Sequence, residues 1–373
     1  MQAHRARLAW FLEYKWKVAR ELREALGAER ARRAERDHHA RRRPRHCGMT
    51  IHTGVGCSVG CVYCYIWDMG FPGRPEPYPL EPLELAYALA VNPYVVPFKT
   101  MAAYGSVTEP FLPETRERAV EYIATVYKWL GLPSQVSTKM LLDEGLVKAL
   151  LEAEPRISVL VTVVAIGEWS RRLEPGAPPG EERIAYAGMA ARRGLSVALF
   201  VRPIIPGVTD AQAGEIMRLA REHGVRDVVP GTLRVTPGIL SRLEAAGIRG
   251  LRARLPRMPR SGRDQVPIRA RREKDIVIRE ALRHGLRVHP SACSHNMHSH
   301  STPCHACRLG PCYGEPEPPE EGEVIEALEL LGARARSVEV KPPLITVYGL
   351  KGVKRDVVVE VLQALTKMMV RVV

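Results

Sequence analysis

Three of the eight cysteines fall in one short stretch, Gly56-Cys57-Ser58-Val59-Gly60-Cys61-Val62-Tyr63-Cys64-Tyr65. Gaps of three and two residues between them favour a metal site over a disulfide framework. Cubane iron-sulfur clusters take thiolates at such short, unequal spacings, because a tight loop has to hold three corners of one small inorganic cube. Three local ligands leave the fourth iron open, so that it can bind a substrate or cofactor directly. The alternative interpretation is a structural zinc loop or a chance cluster of thiols.

From Met49 onward, short β-rich runs alternate with helical patterns, which is typical of a parallel sheet built from βαβ units. We predict strands near Met49–Thr53, Lys99–Tyr104, Ser134–Ser137, Ile157–Val164, Leu195–Val201 and Asp227–Leu233. Six units are too few for an eight-unit barrel, so the predicted fold class is α/β, a partial (β/α)6 TIM-like barrel. Chemistry in such barrels lies at the carboxyl ends of the strands, and the cysteine stretch follows the first predicted strand.

Composition divides the 373 residues into five predicted segments. Apolar residues at three- and four-residue steps predict a helix from residue 5 to about 30, which a basic arm follows. The segments are 1–46 for this helix and arm, 47–292 for the barrel, 293–314 for a cysteine-rich segment, 315–322 for a stiff acidic linker and 323–373 for a small α/β appendage. Within the appendage we predict a strand near Leu344–Tyr348 and a helix from about Arg355.

The formal charge of +14 indicates an anionic partner such as nucleic acid, and anionic lipid also fits. Residues 29–46 hold eight arginines against three acids, and are either a solvated, partly disordered charge run or a phosphate-binding arm. Residues 249–272 hold nine arginines and the single acid Asp264. Their prolines and glycine predict an ordered excursion, for which the nearly single-signed charge favours phosphate contacts.

No apolar run approaches the ~20 residues needed to cross a membrane, and no signal-peptide pattern begins the sequence. Seven of the eight cysteines fall in two compact groups, which is typical of metal ligation in a reducing compartment. We therefore predict a cytoplasmic protein with no membrane partner.

The second cysteine group comprises Cys293, Cys304, Cys307 and Cys312. Four thiols within twenty residues can close a tetrahedral zinc site or hold a second iron-sulfur cluster, and the sequence leaves both open. Nearby histidines are either further ligands or polar loop residues. They are His295, His298 and His300.

The C-x3-C-x2-C spacing with an aromatic residue, Tyr63, before the last cysteine resembles the radical S-adenosylmethionine (SAM) superfamily. In that superfamily the open iron chelates the amine and carboxylate of SAM, and one electron cleaves the sulfonium to a 5'-deoxyadenosyl radical. The resemblance implies a 4Fe-4S cluster on Cys57, Cys61 and Cys64, SAM as a cofactor, and an electron donor such as ferredoxin or flavodoxin. The cofactors carry the difficult chemistry, while the protein places them and excludes water.

Further motifs resemble the spore photoproduct lyase-like group of this superfamily. In chain order they are Tyr104-Gly105-Ser106-Val107-Thr108-Glu109-Pro110-Phe111-Leu112-Pro113-Glu114, Ser137-Thr138-Lys139, Arg172-Leu173-Glu174-Pro175-Gly176-Ala177-Pro178 with Arg183, and Pro203-Ile204-Ile205-Pro206-Gly207-Val208-Thr209-Asp210. By this resemblance Ser106, Lys139 and Tyr63 line the SAM pocket, and Thr162 contacts the ribose. Lys139 is expected to meet the SAM carboxylate, which a cation holds by a charge-assisted hydrogen bond.

One position departs from the lyase. The spore lyase carries a hydrogen-donating cysteine just before the serine that matches Ser106, and this position is Gly105 here. Glycine cannot donate a hydrogen atom to a thymine radical, so dimer repair by that route does not follow from the resemblance. Cys47 is the one thiol outside the two groups. We consider it as a radical quencher or an extra ligand, with a buried inert thiol as the alternative.

Three functions are therefore compatible with the sequence. The leading interpretation is a radical SAM enzyme that modifies or repairs a nucleic acid by hydrogen abstraction from a base or sugar. The second keeps this chemistry but acts on a peptide, lipid or small metabolite, and is supported by a possible auxiliary cluster in the second cysteine group. The third is a non-catalytic iron-sulfur or zinc protein that binds nucleic acid.

Overall fold

The computed structural model describes residues 7–44 and 48–373. Its strands are β1 (Gly48–Ile51), β2 (Gly54–Val55), β3 (Glu76–Pro77), β4 (Met101–Tyr104), β5 (Ser134–Thr138), β6 (Ser158–Thr162), β7 (Ser196–Ile204), β8 (Asp227–Thr232), β9 (Arg234–Val235), β10 (Val266–Pro267), β11 (Arg287–Val288), β12 (Ser337–Lys341), β13 (Leu344–Tyr348) and β14 (Met369–Val372). Its α-helices are α1 (Leu8–Arg36), α2 (Pro82–Val91), α3 (Arg116–Leu130), α4 (Glu144–Ala153), α5 (Gly167–Leu173), α6 (Gly180–Arg192), α7 (Ala213–His223), α8 (Pro237–Ala245), α9 (Arg271–Arg283), α10 (Ala292–Ser299), α11 (Glu321–Leu330) and α12 (Arg355–Thr366).

Seven parallel strands form the central sheet, in the order β1-β4-β5-β6-β7-β8-β11. Every residue of β6 is buried, as expected for a parallel strand covered on both faces. The edge strands β1 and β11 do not pair with each other in the described parts of the chain, so the barrel is open. The predicted α/β partial barrel is confirmed. Because all seven strands run in one direction, their carboxyl ends meet at one edge of the sheet.

All six predicted strands are present, with their ends within three residues of the predicted positions. The pattern missed the seventh strand, β11, which pairs Arg287 with Asp227 of β8. Strand β11 is two residues long, which is too short to show a periodicity of polar and apolar residues.

Helix α1 continues beyond its predicted end near residue 30. Gly27 interrupts it with φ 71° and ψ 170°, a conformation that glycine adopts without a steric penalty. The second part of α1 carries Arg30 and Arg33, and both pair with the buried carboxylate of Glu84 on α2. The described part of the basic stretch is therefore ordered and partly neutralised. This corrects the expectation of a partly disordered charge run, whereas the phosphate-binding arm stays a prediction.

The C-terminal appendage consists of the sheet β12-β13-β14 with helices α11 and α12. The predicted strand Leu344–Tyr348 and the helix that begins at Arg355 are both confirmed. The first turns of α1 join the apolar cluster of the appendage through Leu8, Phe11 and Leu12. Later turns of α1 pack into the main core, so this helix connects the appendage to the barrel.

Candidate active site at the carboxyl ends of the strands

The cysteine loop follows β2 and turns back at two glycines with positive φ, Gly56 (84°) and Gly60 (70°). A Cβ at Gly56 would stand 2.4 Å from the carbonyl oxygen of Arg74 and 2.7 Å from that of Pro72, so no larger residue fits there. The backbone N–H of Cys57 donates to the Pro72 carbonyl over 3.2 Å. These close approaches curl the loop so that its three cysteines face one cavity.

This cavity, of about 240 Å³, lies at the carboxyl edge of the sheet. Its wall contains the three loop cysteines and all four predicted SAM contacts. These residues are Cys57, Cys61, Cys64, Tyr63, Ser106, Lys139 and Thr162. They belong to the loop after β1 and to the carboxyl ends of β4, β5 and β6. The parallel sheet therefore brings together residues that are far apart in the sequence.

Tyr63 is fixed in the loop by a buried polar chain. Its hydroxyl donates to Glu174, and the same carboxylate pairs with Arg183. Both members of this ion pair are fully buried, and Arg183 also donates to the carbonyl oxygen of Thr162 over 2.5 Å. Removing either partner would leave a buried unpaired charge, at a cost of about 3–5 kcal/mol. The Tyr63 hydroxyl is thus occupied within the protein, and its ring contributes to the cavity wall.

Helix α8 holds the other side of the loop. The Arg242 guanidinium donates to the carbonyl oxygens of Val62 over 3.0 Å and Cys64 over 2.8 Å. It also pairs with Asp68 at 2.9 Å, and Asp68 accepts a hydrogen bond from the Thr236 hydroxyl. A loop held from both sides has less conformational entropy to lose when it binds a cluster. The sequence contained no signal for this contact, because Arg242 lies far from the loop along the chain.

Two hydroxyl groups at the cavity lack partners. The side-chain oxygens of Ser106 and Thr108 are buried, and neither makes a hydrogen bond with any residue that the structure describes. Buried polar atoms are almost always hydrogen-bonded, so these two fit a ligand that is rich in donors and acceptors. The amine, carboxylate and ribose of SAM supply such groups. The residues present therefore fit SAM beside a cluster on the three loop cysteines.

Lys139 contributes a fixed positive charge. Burial lowers the pKa of its ammonium group, but the nearby Cys61, Glu174 and Glu109 outweigh this effect, so the pKa is raised. The ammonium nitrogen lies 5.7 Å from the centroid of the Tyr63 ring. A cation that stays protonated at neutral pH suits the SAM carboxylate.

Glu109 is a buried acid that the sequence analysis did not single out. One carboxylate oxygen accepts from the Thr138 hydroxyl over 2.5 Å, and the other accepts from the backbone N–H of Lys139 over 2.9 Å. Burial raises the pKa of Glu109, although the charge of Lys139 opposes the shift. Through these hydrogen bonds Glu109 connects the segment after β4 to the end of β5 and positions Lys139. The motif contained this acid, but no pattern distinguished it from an exposed one.

Gly105 has φ 92°, and a Cβ there would stand 2.6 Å from the Ser137 carbonyl oxygen and 2.9 Å from Cγ of Pro110. A cysteine therefore does not fit at this position unless β5 moves. In residues 7–44 and 48–373, the loop cysteines are the only cysteines that line the cavity. Cys47 lies outside the described residues, so its role as a quencher or ligand stays a prediction.

Comparisons with known proteins agree with this geometry. Residues 51–220 match the family model described as Radical SAM superfamily. The chain carries a radical SAM domain. Its fold is similar to that of spore photoproduct lyase complexed with dinucleoside spore photoproduct, with 16% identity and a TM-score of 0.53 over 63% of this chain and 74% of the lyase. A cysteine-to-serine variant of the lyase gives 15% identity and a TM-score of 0.55 over 70% of this chain and 85% of that one.

A search of curated protein sequences finds no match. The family match confirms the resemblance to the radical SAM superfamily and supports an enzyme of the radical SAM class. At 15–16% identity, the structural similarity to the lyase shows a shared fold. Within the described ranges, no helix of this protein is both long enough and apolar enough to cross a membrane.

Helix α10 lies across the opposite, amino-terminal edge of the radical SAM barrel. The side chain of Gln135, near the beginning of β5, donates to the Ala292 carbonyl over 2.6 Å. The hydroxyl of Ser158, the first residue of β6, bonds His295 at 2.8 Å. These contacts place the segment that contains the second cysteine group under the sheet.

The four cysteines of the second group converge at α10, which contains Cys293. Cys304 and Cys312 exchange two backbone hydrogen bonds of 3.0 and 2.8 Å. The four residues line a cavity of about 30 Å³ together with Met297 and Met101, the first residue of β4. Met101 and Ser106 are five residue steps apart along largely extended chain, which is roughly 15 Å. The second group therefore lies away from the cavity that contains the predicted SAM contacts.

Two of the three nearby histidines are engaged in hydrogen bonds below the sheet. His295 contacts the hydroxyls of Ser158 and Ser196 at 2.8 and 3.4 Å. His300 contacts Glu154 at 2.7 Å through one ring nitrogen and a backbone carbonyl at 2.9 Å through the other. For His300, whose two ring nitrogens are both engaged, these contacts favour a polar structural residue over a metal ligand. The ring of His295 also lies with Asp227 and His289 in a group whose ligand atoms are all within 4.8 Å of one another, so its role as a ligand stays a prediction.

The crowding at Gly105 gives a stability prediction. Gly105→Ala should lower the free energy of unfolding by about 3 kcal/mol, because it combines a left-handed backbone with a steric clash. Gly194→Ala is the matched control: φ is 95°, and a Cβ there has nothing within 4 Å. It should cost only about 1–2 kcal/mol. Anaerobic thermal melting measures the difference, and equal destabilisation by the two changes would contradict the crowding.

Proposed function

We propose that this radical SAM enzyme modifies or repairs a nucleic acid by abstracting a hydrogen atom from a base or sugar. The observation that carries the proposal is the position of the arginine-rich excursion, residues 249–272, at the rim of the radical SAM cavity. A Cβ at Gly262 would stand 2.1 Å from the carbonyl oxygen of Asp68, so the excursion packs directly against the segment that follows the cysteine loop. Gln265, from the same excursion, lines the cavity itself.

The excursion keeps an uncompensated positive charge. Four arginines form ion pairs within the protein, namely Arg252–Glu244, Arg254–Glu273, Arg257–Asp264 and Arg271–Asp275. Five others are exposed and form no ion pair with any carboxylate in the described residues. They are Arg249, Arg260, Arg263, Arg269 and Arg272. Exposed arginines without acids are the usual contacts for backbone phosphates, and their position favours a nucleic acid that passes over the cavity mouth.

The residues of the cavity have separable roles in this proposal. When bound, the cluster and SAM supply a 5'-deoxyadenosyl radical, with electrons from a donor such as ferredoxin or flavodoxin. Lys139 would hold the carboxylate of SAM, and the hydroxyls of Ser106 and Thr108, which have no partner among the described residues, would bind its other polar groups. The Tyr63 ring and Thr162 complete the wall. By excluding water, the wall protects the reactive carbon from side reactions.

The glycine at position 105 limits the kinds of reaction that we propose for this enzyme. The spore lyase's cysteine position is glycine here, and its surroundings leave no space for a thiol. We therefore infer a hydrogen abstraction whose product does not depend on a thiol at this position. A modification of an intact base or sugar fits this condition better than repair of a thymine dimer by the lyase's route.

The second cysteine group gives little support to a peptide, lipid or metabolite substrate. That alternative depended on an auxiliary cluster that contacts the substrate. The group instead lies under the amino ends of the strands, roughly 15 Å along the barrel from the SAM contacts. We propose that it binds a metal, either zinc or a second iron-sulfur cluster, that stabilises the base of the barrel or relays electrons.

Metal analysis tests this second centre. Iron, sulfide and zinc are measured in anaerobically purified wild type, in Cys57→Ser and in Cys304→Ser/Cys307→Ser. The Cys57 change should remove about four irons, because one of three ligands is lost. The double change should remove either one zinc or about four further irons, with the first cluster retained. Metal content equal to that of the wild type in the double variant would contradict a second centre.

Isotope transfer tests the proposed reaction. The reconstituted enzyme is incubated with SAM, dithionite and uniformly deuterated single-stranded DNA or RNA, and 5'-deoxyadenosine is analysed by mass spectrometry. We expect deuterium in the product, because the substrate's hydrogen atom moves to the deoxyadenosyl carbon. The Cys57→Ala protein is the control and should give no product above background. Abundant 5'-deoxyadenosine that contains no deuterium from either polymer would exclude a nucleic acid as the hydrogen source.

A further inference from the structure

Two arginines line the radical SAM cavity on the side away from the predicted SAM contacts. Arg202 lies near the carboxyl end of β7, and Arg234 lies on β9 directly after β8. Ser106, Lys139 and Thr162 lie at the carboxyl ends of β4, β5 and β6. The strand order therefore divides the cavity into a half that SAM contacts line and a half that the two guanidinium groups line.

Neither arginine has a counter-ion within the part of the chain that the structure describes. Glu109 is the one described acid in the cavity wall, and its oxygens already accept hydrogen bonds from Thr138 and Lys139. Desolvation and then the charge of Arg234 lower the pKa of Arg202, as expected for two cations that repel each other without an anion between them. Both side chains are exposed to solvent at the wall of the cavity, whereas the fully buried Arg183 pairs with Glu174.

Gly231 on β8 makes room for Arg202. A Cβ there would stand 2.5 Å from Cδ and 2.8 Å from Cγ of Arg202. The backbone of Gly231 does not have a positive φ, so the fold does not require glycine for its conformation. Because Gly231 has no side chain, the aliphatic part of the Arg202 side chain can cross β8. The arrangement is thus built to hold a cation at this wall of the cavity.

Aromatic side chains line the same cavity as the two arginines. Phe200, Tyr65 and Trp67 line the same cavity, and the guanidinium carbon of Arg202 lies 5.9 Å from the centroid of the Phe200 ring. Aromatic faces stack on nucleobases whatever their sequence, and arginine forks match phosphate oxygens in pairs. A cation pair next to aromatic rings is therefore the chemistry that recognises a nucleotide.

We propose that Arg202 and Arg234 form a phosphate-binding subsite, which holds one backbone phosphate of the substrate inside the radical SAM cavity. This inference rests on the proposed function and deepens it, because it identifies the group that sets the substrate's register. The phosphate replaces the missing counter-ion between the two guanidinium groups by charge-assisted hydrogen bonds. The adjoining sugar and base then face the half of the cavity that holds SAM.

Binding of a fluorescein-labelled single-stranded oligonucleotide, followed by anisotropy across a salt series, tests the subsite. The reconstituted enzyme with SAM is compared with Arg202→Gln/Arg234→Gln and with a matched control, Arg221→Gln/Arg226→Gln. The control loses the same charge from exposed arginines away from the cavity, around the turn that leads into β8. Arg202→Gln/Arg234→Gln, here called the cavity pair, should bind the oligonucleotide at least tenfold more weakly than the wild type. The slope of log affinity against log salt concentration should fall in magnitude by about 1.4, as for two lost phosphate contacts on a single strand.

The control should change affinity less than twofold, and equal effects of the two pairs would overturn the subsite. A loss of SAM binding in the cavity pair, with oligonucleotide affinity intact, would also overturn it. Arg202→Lys/Arg234→Lys keeps both charges and should retain the wild-type salt slope with much of the affinity. A lysine pair as weak as the glutamine pair would indicate structural damage instead of a lost phosphate contact, and would count against the proposal.

A wild-type enzyme that binds no oligonucleotide would contradict the proposed function separately. Calorimetric titration with inorganic pyrophosphate then decides about the subsite. If the wild type binds pyrophosphate and Arg202→Gln/Arg234→Gln does not, Arg202 and Arg234 form an anion site for a different phosphorylated substrate. Absence of pyrophosphate binding overturns the subsite as well.

Discussion

The buried ion pair between Glu174 and Arg183 is the interaction on which the site depends most. Its carboxylate accepts from the Tyr63 hydroxyl in the cysteine loop, and its guanidinium donates to the Thr162 carbonyl at the end of β6. One pair of charges therefore sets the position of the cluster loop relative to the sheet. Arg242 holds the same loop from the other side. Between these contacts the cysteines have little freedom, which is what a loop that wraps a small inorganic cube requires.

The parallel sheet separates two kinds of site. At its carboxyl edge lie the cysteine loop, the unpartnered Ser106 hydroxyl, Lys139 and the arginine-lined half of the cavity. Under its amino edge, α10 and the second cysteine group contact the first residues of the strands. A metal bound by the second cysteine group would thus stabilise the barrel or relay electrons. The reaction on the substrate would take place in the cavity at the carboxyl edge. The arginine-rich excursion also lies at the carboxyl edge, because it packs against Asp68 in the segment after the cysteine loop.

Patterns among residues close together in the sequence predicted the features that depend on such residues. The spacing from Cys57 to Cys64 indicated an open-sided cluster, and alternating β and α patterns indicated the partial barrel. The two-residue strand β11 carried too little pattern to be found. Contacts between distant positions were also invisible. Arg30 and Arg33 looked like free charges until α2 placed Glu84 beside them. Arg202 and Arg234 resembled any other arginines in a basic chain, because the absence of a counter-ion is a property of the folded cavity.

The central claim is that the cluster on Cys57, Cys61 and Cys64 leaves one iron open to SAM. Electron paramagnetic resonance of the dithionite-reduced protein, before and after SAM is added, tests it most directly. The Cys304→Ser/Cys307→Ser variant serves as the sample, so that a second cluster cannot contribute to the spectrum. We expect a 4Fe-4S signal whose g values shift when SAM binds, and no such signal in the Cys57→Ala protein. A fully loaded cluster whose spectrum is unchanged by saturating SAM would contradict the account.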